Sequence, residues 1–484
     1  MRFGARSELG WREAAWAVLA ATAWVSLIRP GPLDLAYFWD EADVYVPGAR
    51  WVAEHGLTVT PGVFPDDYSR GHPPLLYLLA GAAFAAFGPD PTVGHLVVLP
   101  FTVLALAGTY LLGATVFSRR VGLAAALLLG TTPLFLSIGN MLLPEMPLVA
   151  LTVVALLAFA RGRLGLAVLA GVAMVWIKET GIFSAAAIGV GVLVDARLRR
   201  ERPLRRVALA TAPLFALLGF FAWQKVHAGY FVFPHHQNLF ADRPLGWENV
   251  ATVWPSLLGW HGRWLLAAAA ILALTAGRRD RRAPAPTSPW RPTRGAVVAA
   301  CVALVLFNAL FFTKMFWLER YALPAHPGLL VVLCAAILGG FERLPALARP
   351  PARWIPIGAA AFAGVAGLWA PTASDAEEHT FAYADVIATH RAAFAILEDD
   401  DAPVLTTWPM TVELEQPYLG YVEEPRPTVH ARHLEDDDPP AFGAVLVNTA
   451  SWRADALRAA AARRGLTHAA TVRRGVAPAL ELHR

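Results

Sequence analysis

TVLALAGTYLLGATVF (residues 102–117) and VGLAAALLLGTTPLFLSI (residues 121–138), parted by Ser118-Arg119-Arg120, decide the fold class. Neither run carries a charged side chain, and each approaches the ~20 residues that a helix needs to cross a bilayer. In lipid the backbone must satisfy its own N–H and C=O groups, so continuous apolar runs of this kind read as helices. The whole chain agrees. Of 484 residues, 56% are hydrophobic and 16% charged, against roughly 25% charged in soluble proteins, and mean hydropathy is +0.46. The sequence predicts a polytopic α-helical membrane protein.

Basic clusters give the orientation. They lie at Arg2, Arg6 and Arg12, at Arg119/Arg120, at Arg161/Arg163, and across 197–206, 278–294 and 343–353. If all are cytoplasmic, each interval between them holds an even number of crossings. The result is about eleven spans with a cytoplasmic N-terminus: 12–29, 92–117, 121–138, 146–160, two within 164–194, 207–223, 264–276, 295–312, 322–340 and 354–370. The apolar run 73–87 is too short to cross and reads as a juxtamembrane helix (73–88) inside a first outer loop, 30–91. The Arg-rich start before 14–28 reads as a retained signal anchor.

On this map 1–371 forms the transmembrane domain. Residues 372–484 form a small C-terminal α/β extracytoplasmic domain, with helices expected over 380–397 and 452–464 and strands over 403–407, 443–448 and 469–474. Its acidic tracts, 398–401 and 435–438, read as solvated loops. The net charge of +4 sits in clusters beside the spans, which argues for membrane orientation and against nucleic acid as a partner. Cys301 and Cys334 lie in apolar runs without metal-ligand spacing and read as packing residues.

The ionisable groups concentrate in YFWDEADVY through GVFPDDYSRGHPP, residues 37–74. Asp40 and Glu41 are adjacent, so on a helix they diverge by ~100°. One can then face a site while the other bonds to the scaffold. In a half-dry cleft such a carboxylate would have a raised pKa and act as a general base. His72 precedes Pro73-Pro74, a helix start suited to phosphate, though capping alone would also explain it. Tyr45 and Arg70 stand beside them as substrate-binding candidates. Glu145, in GNMLLPEMP, supplies a second outer-face acid. Against 38 arginines the chain keeps only Lys178, Lys225 and Lys314, all at outer ends of spans, where compact ammonium groups suit phosphate. Arg320-Tyr321, in KMFWLERYALP, adds a bidentate cation beside an aromatic ring. His235-His236 lack the spacing of metal ligands and read as a solvated loop. Walker, GxGxxG, HExxH and serine-elbow motifs are missing, and the spans carry almost no mid-membrane charge, unlike a coupled transporter.

FWDEADVYVPGARWVAEHG, GHPPLLYLLAGAAFAAFG, SIGNMLLPEMPL, GVAMVWIKETG and LERYALPAHP, in that order, resemble the GT-C membrane glycosyltransferases. The branch of protein O-mannosyltransferases and lipid A aminoarabinose transferases is the nearest in pattern. The resemblance implies an inverting transferase whose donor sugar rides on a polyprenyl phosphate. It further implies catalytic acids at Asp40, Glu41 and Glu145, and donor-phosphate contacts at His72, Lys178, Lys314, Arg320 and Tyr321. No cofactor is required, although the acidic pair Asp40/Glu41 could hold a divalent cation. The expected partners are the lipid-linked donor, membrane lipids and a lipid, glycan or protein acceptor, at a bacterial inner membrane. Two rivals are a lipid-linked-sugar flippase and a non-catalytic envelope scaffold; under the latter the outer motifs would not converge.

Overall fold

The computed structural model describes residues 9–28, 31–242, 246–259, 263–276, 291–341, 350–368, 378, 380–397, 402–435 and 440–484. Arg2, Arg6, the acidic stretches 398–401 and 436–438, and most of the basic segments 278–294 and 343–353 lie outside them.

Each segment read as a crossing is helical over its described residues. The helices are Trp11–Ile28, Pro91–Val116, Arg119–Gly130 with Pro133–Ile138, Glu145–Ala160, Leu164–Ile177 and Ile182–Arg199. Ala212–Ala228, Arg263–Ala276, Arg294–Lys314, His326–Phe341 and Pro350–Gly367 follow. Among the described residues five stretches are long and apolar enough to cross a membrane by length and composition alone: Pro91–Val116, Glu179–Arg199, Leu204–Ala228, Arg294–Lys314 and Glu319–Gly340. Glu145–Ala160 and Leu164–Ile177 are shorter apolar helices. The crossing read as 121–138 is broken at Pro133, which lacks the N–H that would continue the ladder. Thr131 and Thr132 turn their hydroxyls back to the carbonyls of Leu127 and Leu128, at 2.9 and 2.8 Å.

Helix packing relies on small residues, as expected where lipid supplies no hydrophobic drive between helices. A Cβ on Gly113 would fall 2.6 Å from the Cα of Gly122. Helices Pro91–Val116 and Arg119–Gly130 therefore meet backbone to backbone. Short helices Val46–His55 and Leu75–Phe87 follow helix Trp11–Ile28 in the chain; the second covers most of the apolar run 73–87.

The C-terminal unit is a five-stranded sheet of order β2-β1-β3-β5-β4. Strand β1 (Val404–Thr406) lies parallel to β2 (Thr428–His430) and β3 (Ala444–Asn448). Strand β5 (Leu480–His483) runs antiparallel to β3 and to β4 (His468–Val472). All of β3 is buried, as the covered centre of a sheet requires. The expected helices occur as Ala382–Ala395 and Ala454–Arg463. This unit rests directly on the first loop. The Tyr37 N–H donates to the Leu419 carbonyl at 2.9 Å, Arg391 Nε donates to the Gly420 carbonyl at 2.8 Å, and the Trp39 and Trp408 rings meet edge to face at 4.5 Å.

Candidate functional site

Asp40 opens a single widened helical turn, Glu41–Tyr45, that leads into helix Val46–His55. Wide turns of this type recur at functional sites. The residue before it, Trp39, has φ +54°, a left-handed backbone that a bulky side chain adopts only when its surroundings impose it. Trp408 of the C-terminal unit packs on that ring, so the bend that aims Asp40 is clamped from outside the loop.

The adjacent acids divide their roles. Glu41 is 1% exposed and accepts from the backbone N–H groups of Phe38 and Leu142, with His95 Nε2 at 3.3 Å. It ties the first loop to the segment before Glu145. Both its oxygens are engaged, and Asp40 is engaged by Arg320. Among the described residues no group of three or more His, Cys, Asp or Glu could hold a metal ion.

Arg320 stands in a tight turn, Glu319–Ala325, ahead of helix His326–Phe341. It is 2% exposed, and its nitrogens reach three carboxylates from three parts of the chain. Nη2 donates to Asp40 Oδ2 and Nη1 to Glu378 Oε2. Nε lies 3.7 Å from Glu145 Oε1. Glu145 begins helix Glu145–Ala160, where the helix dipole favours a negative charge, and Lys178 Nζ bonds its Oε1 at 2.9 Å. Lys178 is extended between helices; Gly181 permits the fold-back behind it, since a Cβ there would strike the Met174 backbone at 2.6 Å. The ammonium sits 4.6 Å from the Tyr321 ring centre, a cation–π contact. Glu145 Oε2 is buried without a hydrogen-bond partner. It faces a narrow cleft of about 320 Å³, open mouth included, lined by Thr180, Ser184, Asn308 and Tyr321 among others.

A second group adjoins the first. His72 Nδ1 is 3.0 Å from Glu179 Oε2. The His72 ring stacks against Tyr45 at 6.5 Å and packs on His236 at 5.1 Å. Arg70 pairs with Asp43. Each cation of the cleft that the sequence reading assigned to phosphate or substrate thus already faces an acid. Asp40, Asp43, Glu145, Glu179 and Glu378 outnumber the permanent cations Arg70, Lys178 and Arg320 by five to three.

Titration follows from this crowding. Burial alone would raise Asp40, but the Arg320 guanidinium outweighs it and holds the carboxyl below the usual range. This reverses the elevated value expected from the sequence, because the partner charge was not foreseeable there. Burial pushes Glu378 up to about 7 against the pull of Arg320, with Asp40 and Glu145 adding to the rise. Burial pushes His236 down to about 4 and raises the Tyr45 hydroxyl well above its ordinary value.

The structure brings together Asp40, Glu145, Tyr45, Arg70, His72, Lys178, Arg320 and Tyr321. Lys314 is the last residue of its helix. Lys225 donates to the Gly229 carbonyl at 2.7 Å. His236 is partly buried at the site instead of solvated in a loop. Glu179 and Glu378 were missed. Glu179 stood beside Lys178 in KETG; Glu378 lies in a polar tract with no local signal.

Residues 71–224 match the sequence model of a family described as dolichyl-phosphate-mannose-protein mannosyltransferase. The fold is similar to that of ArnT from Cupriavidus metallidurans bound to undecaprenyl phosphate, with a TM-score of 0.59 at 15% identity over 99% of this chain and 98% of the other. The chain carries a GT-C fold. The apo state of that ArnT gives the same TM-score and identity over 97% of each chain. Curated protein sequences give no match. The GT-C similarity spans the sheet unit as well as the helices, so the C-terminal strands are part of the shared architecture.

Proposed function

We propose that this protein is an inverting membrane glycosyltransferase that moves a sugar from a polyprenyl-phosphate donor to a lipid, glycan or protein acceptor. One observation carries the reading: Asp40, Glu145 and Lys178, from three separate loops, meet at Arg320 at one end of the helix bundle. A scaffold has no need of that convergence, and the GT-C fold supports a transferase over a flippase. The same end receives all the loops that the charge pattern assigns to the outer face. This supports a cytoplasmic N-terminus and a site on the outer side of a bacterial inner membrane.

The chemistry follows from the charges. Asp40, ionised at neutral pH, takes the proton of the acceptor hydroxyl. The acceptor oxygen then bonds to the anomeric carbon from the face opposite the phosphate. The bond from that carbon to the phosphate oxygen breaks, and its electron pair leaves on the polyprenyl phosphate. Lys178, Arg320 and His72 stabilise that anion, and such fixed charges act without reorganising. Glu145 holds Lys178 and offers its free oxygen to a hydroxyl in the cleft. Glu41 fixes the loop and so positions Asp40.

Mass spectrometry of cell-envelope lipids and glycans, with and without the protein, tests the reading. The expected result is one glycoconjugate lost and one polyprenyl-phosphate sugar accumulated. Identical profiles would contradict it.

A further inference from the structure

Glu378 is the part of the cluster that the chemistry above leaves unused. It is 6% exposed, lies just ahead of helix Ala382–Ala395 of the C-terminal unit, and donates nothing to the reaction. Yet it occupies Nη1 of Arg320, the cation offered to the leaving phosphate. A carboxylate and a phosphate present the same pair of acceptor oxygens to a guanidinium, so the two compete for one edge.

The three carboxylates on Arg320 are not equally fixed. Asp40 follows a clamped bend, and its neighbour Glu41 is held by two backbone N–H groups and His95. Glu145 belongs to a helix and is bonded to Lys178. Glu378 is secured by Ser137, whose hydroxyl lies within bonding distance of the Glu378 and Thr380 carbonyls, and by Arg320 itself. The groups that face its carboxyl are Arg320, Asp40 and Glu145; two of the three repel it. Removing it from the guanidinium costs least.

We propose that Glu378 is a built-in stand-in for the donor's phosphate: it neutralises Arg320 in the unloaded protein and gives up the Nη1 edge when the lipid phosphate binds. The C-terminal unit thereby senses loading, because the residue displaced is its own. The idea rests on the polyprenyl-phosphate reading and adds to it the group that the phosphate replaces. The tendency of Glu378 to hold a proton up to about pH 7 supports the exchange. The neutral acid is a weaker competitor than the carboxylate.

The test is titration of undecaprenyl phosphate into the purified full-length protein in nanodiscs, at pH 8 and pH 6, for the wild type and Glu378→Gln. Removing one competing anion should tighten binding about 5- to 20-fold at pH 8, as expected for close charge pairs. At pH 6, where the wild-type acid is largely neutral, the two proteins should converge. The ratio of their affinities cancels the titration of the lipid phosphate. Ser137→Ala, which loosens the segment without touching a charge, should give a smaller gain in the same direction, and it serves if Glu378→Gln fails to fold. Binding by the wild type with equal or weaker binding by the variants overturns the exchange and leaves the donor reading intact. No binding by the wild type at either pH overturns both.

Discussion

The helix Ile182–Arg199 has an ionic cluster at each end, and only one of the two has as many cations as acids. At the far end Asp195, fully buried, accepts from Arg199 at 3.1 Å, from Arg206 at 3.4 Å and from the Thr293 N–H at 2.7 Å. Arg206 also pairs with Glu201, so two acids there meet two guanidinium groups and a backbone donor. At the near end three acids, Asp40, Glu145 and Glu378, share two cations, Arg320 and Lys178. A buried charge that is fully paired fixes helices in place and leaves nothing for a ligand. A cluster short of cations stays balanced only by protonation or by exchange. The comparison assigns structure to the first cluster and chemistry to the second.

Four substitutions or titrations would break or sharpen that contrast. The largest effect belongs to Arg320→Met. It leaves the buried Glu145 and Glu378 and the partly exposed Asp40 without their shared cation, so transfer should fall by a factor of at least ~100 and stability by about 3–5 kcal/mol. Activity and melting temperature of the purified protein report the two losses. Asp195→Asn should show the reverse pattern: a loss of about 3 kcal/mol in stability with turnover per folded molecule unchanged. If turnover fell with stability intact, the division between the clusters would be wrong.

A pH titration is the intermediate test. The folded-state pKa of Glu378 lies above its ordinary 4.5, at about 7, so folding favours the protonated acid. Its contribution to stability is complete below about pH 4.5 and is lost as pH rises towards 7 and beyond. The melting temperature should therefore drop between pH 5 and pH 8, and Glu378→Gln should flatten that slope. The smallest effect is Ser137→Ala, expected to cost about 1 kcal/mol for one hydrogen bond, measurable by denaturant titration.

The helices were legible because lipid leaves the backbone few options. In the C-terminal unit, apolar runs marked β1, β3 and β4. Thr428–His430 and Leu480–His483 escaped because an alternation over three or four residues is too short to stand out. At the site, Asp40, Glu145, Lys178 and Arg320 were readable as ionisable residues at the outer ends of spans that are themselves almost free of charge. Their pairing was not readable. Sequence order separates Arg320 from Asp40 by the whole bundle, so the lowered Asp40 pKa could not be inferred. Glu378 carried no signal because an acid within a polar stretch is ordinary until folding buries it.

The most direct test follows the donor itself. Purified protein would be incubated with a total lipid extract from its own cells, and polyprenyl-phosphate sugars and free polyprenyl phosphate followed by mass spectrometry. The wild type should deplete one lipid-linked sugar and release its polyprenyl phosphate, while Asp40→Asn, folded and equally abundant, leaves that species untouched. Equal depletion by both proteins would contradict the account.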